Sequence, residues 1–152
     1  MTQPAIFFGH GSPMNALGGP FTAAWRDLGE TVGKPKGVVM VSAHWETRGL
    51  GVTAQAQPET IHDFGNFGAE LHAMQYPAPG SPALAARVAE LTQAHAVEAW
   101  GLDHGTWSVL NKMYPLADIP VLQLSIDMSE SPAFHLEVGK LLQTLRSEGI
   151  GN

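Results

Sequence analysis

Two stretches decide the fold: Gly37-Val38-Val39-Met40-Val41-Ser42 and Ile119-Pro120-Val121-Leu122-Gln123-Leu124-Ser125-Ile126. Each is a nearly continuous apolar run rather than an alternation, which implies a strand covered on both faces, as in a parallel sheet. Working outward, Phe21 to Val32 reads as a helix with Phe21, Trp25 and Leu28 on one face, stopped by Gly33-Lys34-Pro35. Ser81-Pro82 supplies an N-cap and an N1 proline for a helix to about Ala94, with Leu84, Val88 and Leu91 recurring. A further helix is expected over Trp107 to Met113. The last covers Pro132 to Arg146, facing Phe134, Val138, Leu141, Leu142 and Leu145 inward. Shorter strands are expected at Pro4–Phe8, Leu50–Ala54 and Val97–Trp100, with an irregular aromatic loop from Gln57 to Pro79. Strands alternating with helices give an α/β domain with a mainly parallel central sheet flanked by helices. Past Gly149 a strand should return to that sheet, but the chain stops at Ile150-Gly151-Asn152. Residues 1–152 therefore read as a single domain, truncated at its C-terminus.

Composition narrows the function. At 152 residues one domain is expected. Eight Lys and Arg against fourteen Asp and Glu give a net charge of −6 with no basic cluster, which argues against nucleic acid as a partner. The apolar runs fall far short of the ~20 residues that cross a bilayer, and MTQPAIFFGH lacks a signal-peptide pattern. No membrane partner and a cytoplasmic location are the expectations. With no cysteine, any metal must sit on His and carboxylate. Charged residues are only 14%, against about 25% in ordinary domains, so part of the surface is expected to meet a homo-oligomer partner or further domain mass.

Ligands of open α/β sheets bind beyond the carboxyl ends of the strands. His10 and His44 each follow an expected strand, and Gly9 and Gly11 let the backbone approach a ligand closely. Two neutral imidazoles there suit a divalent transition metal, although a histidine after a strand also serves as an exposed or capping residue. His104 lies in Asp103-His104-Gly105-Thr106-Trp107. Asp103 either orients that imidazole or, like Thr106, caps the following helix. His62, beside Asp63, either contacts a ligand or ties the loop down by hydrogen bonds. His72, His95 and His135 are expected at the surface, and the four Trp in the core. Ser12 has no Gly-x-Ser-x-Gly context, and neither a dinucleotide fingerprint nor a P-loop is present.

Phe8-Gly9-His10-Gly11-Ser12-Pro13-Met14, Val41-Ser42-Ala43-His44-Trp45, Thr60-Ile61-His62-Asp63-Phe64-Gly65, Tyr76-Pro77-Ala78-Pro79-Gly80 and Trp100-Gly101-Leu102-Asp103-His104-Gly105-Thr106-Trp107 occur in that order. In these motifs the chain resembles the class III extradiol ring-cleavage dioxygenases, in particular the 4,5-DOPA extradiol dioxygenase-like group. The resemblance implies that His10 and His44 bind a non-haem Fe(II), often replaced by Zn(II) in purified protein. It implies His104 as the catalytic acid–base group, with His62 and Ser12 on the substrate side of the same pocket. The implied partners are a catechol such as DOPA and O2, and the implied product is a muconic semialdehyde. No cationic anchor for a substrate carboxylate stands out among the eight Lys and Arg. Family members continue through a strand, a Gly-Asn-x-x-His motif and a later third metal ligand. Gly151-Asn152 reads as the start of that motif, so this stretch by itself is expected to be inactive and either poorly soluble or dependent on a partner surface. Two other readings stand beside the dioxygenase: a metal-binding homologue without catalysis, and a zinc hydrolase on the same rim.

Overall fold

The computed structural model describes residues 2–152 and places both apolar runs at the centre of a five-stranded sheet. In chain order the elements are α1 (Thr22–Val32), β1 (Gly37–Thr47), β2 (Gly51–Thr53), α2 (Ala69–Ala73) and α3 (Pro82–Thr92). They continue with β3 (His95–Val97), α4 (His104–Met113), β4 (Val121–Asp127), α5 (Pro132–Ser147) and β5 (Ile150–Gly151). The strand order is β3-β2-β4-β1-β5. β1 runs parallel to β4 and β5, β2 runs parallel to β3, and β2 meets β4 antiparallel at Val52↔Leu124. The class is mainly parallel α/β, as the sequence implies.

The continuous apolar runs are explained by burial on both faces. Val38 and Val121 join a core with Trp25 of α1 and Trp107 and Leu110 of α4. Their neighbours Val39 and Leu122 point the other way, into a core with Val88 of α3 and Val138, Leu142 and Leu145 of α5. Successive strand residues alternate between faces, so two helical layers call for apolar residues at Val38–Val39 and Val121–Leu122; further along, Gln123 and Ser125 are buried polar residues and Val41 is 54% exposed. Ser81 and Ser131 cap α3 and α5 by accepting from Leu84 N and Phe134 N, each at 3.1 Å.

Several expected boundaries move. Pro4–Phe8 is not a strand. It runs beside β5, only two residues long, and makes two backbone bonds there, Ile6 N to Asn152 O and Asn152 N to Pro4 O. Phe7 is 98% exposed rather than buried. β1 does not end at Ser42 but continues through a register shift between Val41 and Glu46 to Thr47. β3 lies at His95–Val97 instead of Val97–Trp100, because His95 is the residue that pairs with Gly51. α4 begins at His104, not Trp107. In α5 the buried stripe is Val138, Leu142 and Leu145, at i, i+4 and i+7, while Leu141 falls off it and stays 46% exposed. The strand expected after Gly149 is present as β5, paired with β1 at Gly37 and Val38. Trp25, Trp45 and Trp107 are buried, and Trp100 stacks on Trp45 at 5.8 Å. Of the histidines expected at the surface, His72 and His95 are exposed; His135 is half-buried and accepts from Asp127 N at 3.0 Å. Among the described residues no helix is long and apolar enough to cross a membrane.

Candidate metal centre

Three segments converge at the carboxyl end of β1. His10 lies past the N-terminal segment, where Asn15 Nδ2 donates to its carbonyl at 2.9 Å. His44 lies inside the register shift of β1, between Val41 and Glu46. His104 is the first residue of α4 and is 5% exposed. The Nε2 atoms of His10 and His44 are 2.8 Å apart. Ring centroids are 5.0 Å apart for His10–His44, 5.2 Å for His10–His104 and 4.1 Å for His44–His104. One nitrogen from each of the three histidines lies within 4.8 Å of the others.

That donor set fits a divalent transition metal. Two nitrogens bound to one ion at ~2.0–2.1 Å lie at most about 4.2 Å apart. The His10–His44 pair meets this bound comfortably, whereas the three-histidine group, spread over up to 4.8 Å, need not. Burial, followed by the neighbouring His104 and His44, holds His10 below the ordinary histidine range. It is therefore neutral near pH 7, the form that offers a lone pair.

His104 has a carboxylate partner that the sequence did not single out. Asp63, 41 residues upstream, accepts the His104 backbone N–H at 2.9 Å through Oδ1. The same oxygen sits 2.9 Å from His104 Nδ1. That second approach lies off the N–H direction, so it is an electrostatic contact rather than an aligned hydrogen bond. For Asp63 the largest influence is burial, which raises its pKa; the contacts with His104 together outweigh it and hold the carboxyl below its usual range. Asp103 occupies the N-cap position of α4 yet makes no capping bond with its side chain. Its carboxylate turns inward to Ser42 Oγ at 2.8 Å and Gln123 Nε2 at 2.9 Å. Asp63 is the external cap. Only the His62-Asp63 dipeptide in the aromatic loop hinted at this, since nothing in its spacing points to His104.

His62 stands outside the three-histidine group. Its Nε2 lies 2.7 Å from Met74 O, tying the loop down, and its ring packs on Phe64 at 6.0 Å and Trp107 at 5.7 Å. Phe64 also lies 5.7 Å from His104, so one aromatic wall joins the two histidines. The Ser12 hydroxyl accepts from Met14 N at 3.2 Å and caps the 3-10 turn Pro13–Leu17. A cleft of about 520 Å³ opens against His10, with Phe8, Met40, Val41 and Gly105 along it.

The family of the catalytic LigB subunit of aromatic ring-opening dioxygenase matches residues 10–149, a span that begins at His10. The chain belongs to this family. Among LigB-family relatives, the 4,5-DOPA dioxygenase extradiol of Escherichia coli K12 is 57% identical over 153 residues, covering 97% of this chain and 56% of that protein. The 4,5-DOPA dioxygenase extradiol of Beta vulgaris is 39% identical over 159 residues, covering 97% and 59%. The crystal structure of an uncharacterized protein from Escherichia coli K12 superposes with a TM-score of 0.79 at 51% identity, over 98% of this chain and 57% of that one. The chain thus spans little more than half the length of the relatives it matches.

Proposed function

We propose that this LigB-family chain carries the metal-holding and proton-handling part of an extradiol dioxygenase that opens a catechol ring, DOPA being one candidate, with O2. The observation that carries the proposal is the convergence of His10, His44 and His104, with the first two Nε2 atoms 2.8 Å apart. His10 and His44 are the residues that would hold Fe(II), with Zn(II) able to take the same nitrogens. Iron held there would supply a Lewis acid for the catecholate and a route for electron density from the ring to O2.

The remaining work falls to the chain's own side chains. With Nδ1 set against Asp63, His104 has Nε2 free to take a proton from a catechol hydroxyl and return it later. The Asp63 carboxylate stabilises the imidazolium formed in between. Phe64, against His104 and His62, offers an aromatic wall on which the substrate ring can lie away from water. Ser12, two residues beyond His10, is the remaining candidate on the substrate side, and its hydroxyl also caps the 3-10 turn that follows.

The test is anaerobic loading with Fe(II), then catechol or DOPA in air, beside the E. coli relative as a positive control. One metal per chain, lost in His10→Ala and His44→Ala, is the expected result for this chain, and the yellow semialdehyde absorbance is expected once it is combined with the part of its relatives that it does not cover. Metal stoichiometry unchanged in both variants overturns the ligand assignment. A metal-loaded chain that yields no absorbance even together with the part of its relatives that it does not cover favours the non-catalytic alternative.

A further inference from the structure

Asp103 and Gln123 are both 0% exposed, and Ser42 is 5% exposed. Gln123, in the middle of β4, reads Asp103 at two points: its Oε1 accepts the Asp103 backbone N–H at 2.8 Å, and its Nε2 donates to Oδ2 at 2.9 Å. The other carboxylate oxygen, Oδ1, accepts from Ser42 Oγ at 2.8 Å. Ser42 Oγ in turn accepts the His44 backbone N–H at 3.2 Å, two residues along β1. Thr53 Oγ1 accepts the Gln123 backbone N–H at 2.9 Å, which anchors the group to β2 as well. The chain of bonds therefore runs from the backbone of His44 through Ser42 to Asp103, the residue before His104.

A buried carboxylate without a cationic partner is costly unless its lone pairs are satisfied, and a capping role on α4 was available to it. The fold instead spends this group on a tie between two strands and a helix. Gly105 completes the contact: a Cβ there would come within 2.9 Å of His44 Cδ2, 3.1 Å of Ser42 Oγ and 3.3 Å of Asp103 Oδ1. The first turn of α4 thus rests directly on the irregular part of β1.

We propose that Ser42, Asp103 and Gln123, with Gly105 as the seat, form a buried positioning device that sets His44 against His104. None of these three side chains is assigned as a ligand or as a proton carrier. The inference rests on the metal-site reading for its consequence, because His44 is there a ligand and His104 is not. Its geometric content, the 4.1 Å approach of the two rings, stands without metal.

The donor pattern supplies a reciprocal test. In Asp103→Asn the amide either sets its NH2 against that of Gln123 or, turned over, deprives the Ser42 hydroxyl of its acceptor, and in Gln123→Glu one carboxylate faces another. In the double variant Asp103→Asn/Gln123→Glu, the amide introduced on α4 donates to the carboxylate introduced on β4. The backbone N–H at position 103 and the Ser42 hydroxyl keep their acceptors. Ring-proton NOEs between His44 and His104 in the metal-free chain, and Zn(II) affinity by calorimetry, are the readouts. The single variants and Ser42→Ala are expected to weaken the NOEs and lower Zn(II) affinity by about 10–100-fold, the usual effect of groups that orient ligands. The double variant is expected to recover both. Folded single variants with unchanged NOEs and affinity overturn the proposal, and so does a folded double variant no better than the singles. If a single variant fails to fold, Ser42→Ala and the double variant decide the matter. If the wild-type chain binds no Zn(II), the metal reading fails and the NOEs alone judge the positioning device.

Discussion

Replacing Asp63 with alanine removes both contacts at His104. The first is the external cap on α4, where Oδ1 accepts the His104 N–H at 2.9 Å. Such caps contribute about 1 kcal/mol, within ~0.5–2. The second is the 2.9 Å approach to His104 Nδ1, between side chains only 7% and 16% exposed. Hydrogen bonds to charged groups contribute ~1.5–3 kcal/mol, and the off-line geometry sets this shielded contact at the lower end of that range. Together they predict a loss of about 2–3 kcal/mol for Asp63→Ala. With a urea m-value of roughly 2 kcal/mol/M the unfolding midpoint falls by about 1–1.5 M with unchanged slope. Asp63→Asn keeps an acceptor for the backbone N–H and should lose about half as much. The pH dependence has a fixed sign. The folded pKa of Asp63 lies below its unfolded value, so the unfolded chain binds more protons in between. The stabilisation is therefore complete above about pH 4, and it fades as pH falls through the folded pKa. Urea titrations of wild type and variant at pH 7 and at successively lower pH measure this. A pH 7 difference under about 0.5 kcal/mol, or one that grows on acidification, refutes the reasoning.

His104→Phe should keep one Zn(II) per chain by metal analysis while turnover, in a form that shows it, drops by about 10²–10⁴. Gly29→Ala is expected to be severe for a surface-sized change, because its Cβ would stand 2.3 Å from Met113 O where α1 crosses α4. Overpacking of ~1–3 kcal/mol translates to a thermal midpoint lower by roughly 3–10 °C in calorimetry. Arg87→Ala breaks the 3.1 Å pair with Glu148 at the surface, and the same scan should show an unchanged midpoint.

The helices and the central strands were legible because burial writes itself locally. Val38 and Val39, or Val121 and Leu122, must both be apolar when each face of the sheet carries a helical layer. Ser81-Pro82 announces a helix start because the cap and the first turn are neighbours in the chain, and Ser131-Pro132 caps α5 in the same way. His10, His44 and His104 were flagged by type and motif, and the fold brings the three together. Position after a strand was a poorer guide: the segment before His10 forms no strand, and β1 runs on past His44.

Tertiary structure alone decided which carboxylate serves His104. Asp103 is its neighbour in sequence, yet that side chain turns to Ser42 and Gln123, and Asp63 arrives from the aromatic loop. Adjacent residues at a helix start point in different directions, so sequence proximity says little about side-chain contact. The path of a loop that closes over 41 residues is set by what its ends pack against, such as the Ile61–Leu102 backbone bond and Trp107 Nε1 donating to Ile61 O. The same holds for Leu141, which has the spacing of the α5 stripe yet stays 46% exposed. Amino-acid type and local period determine which residues must be buried. Long-range geometry determines which polar atoms then find one another, because a hydrogen bond needs a partner placed within tenths of an ångström and a buried apolar group needs only cover.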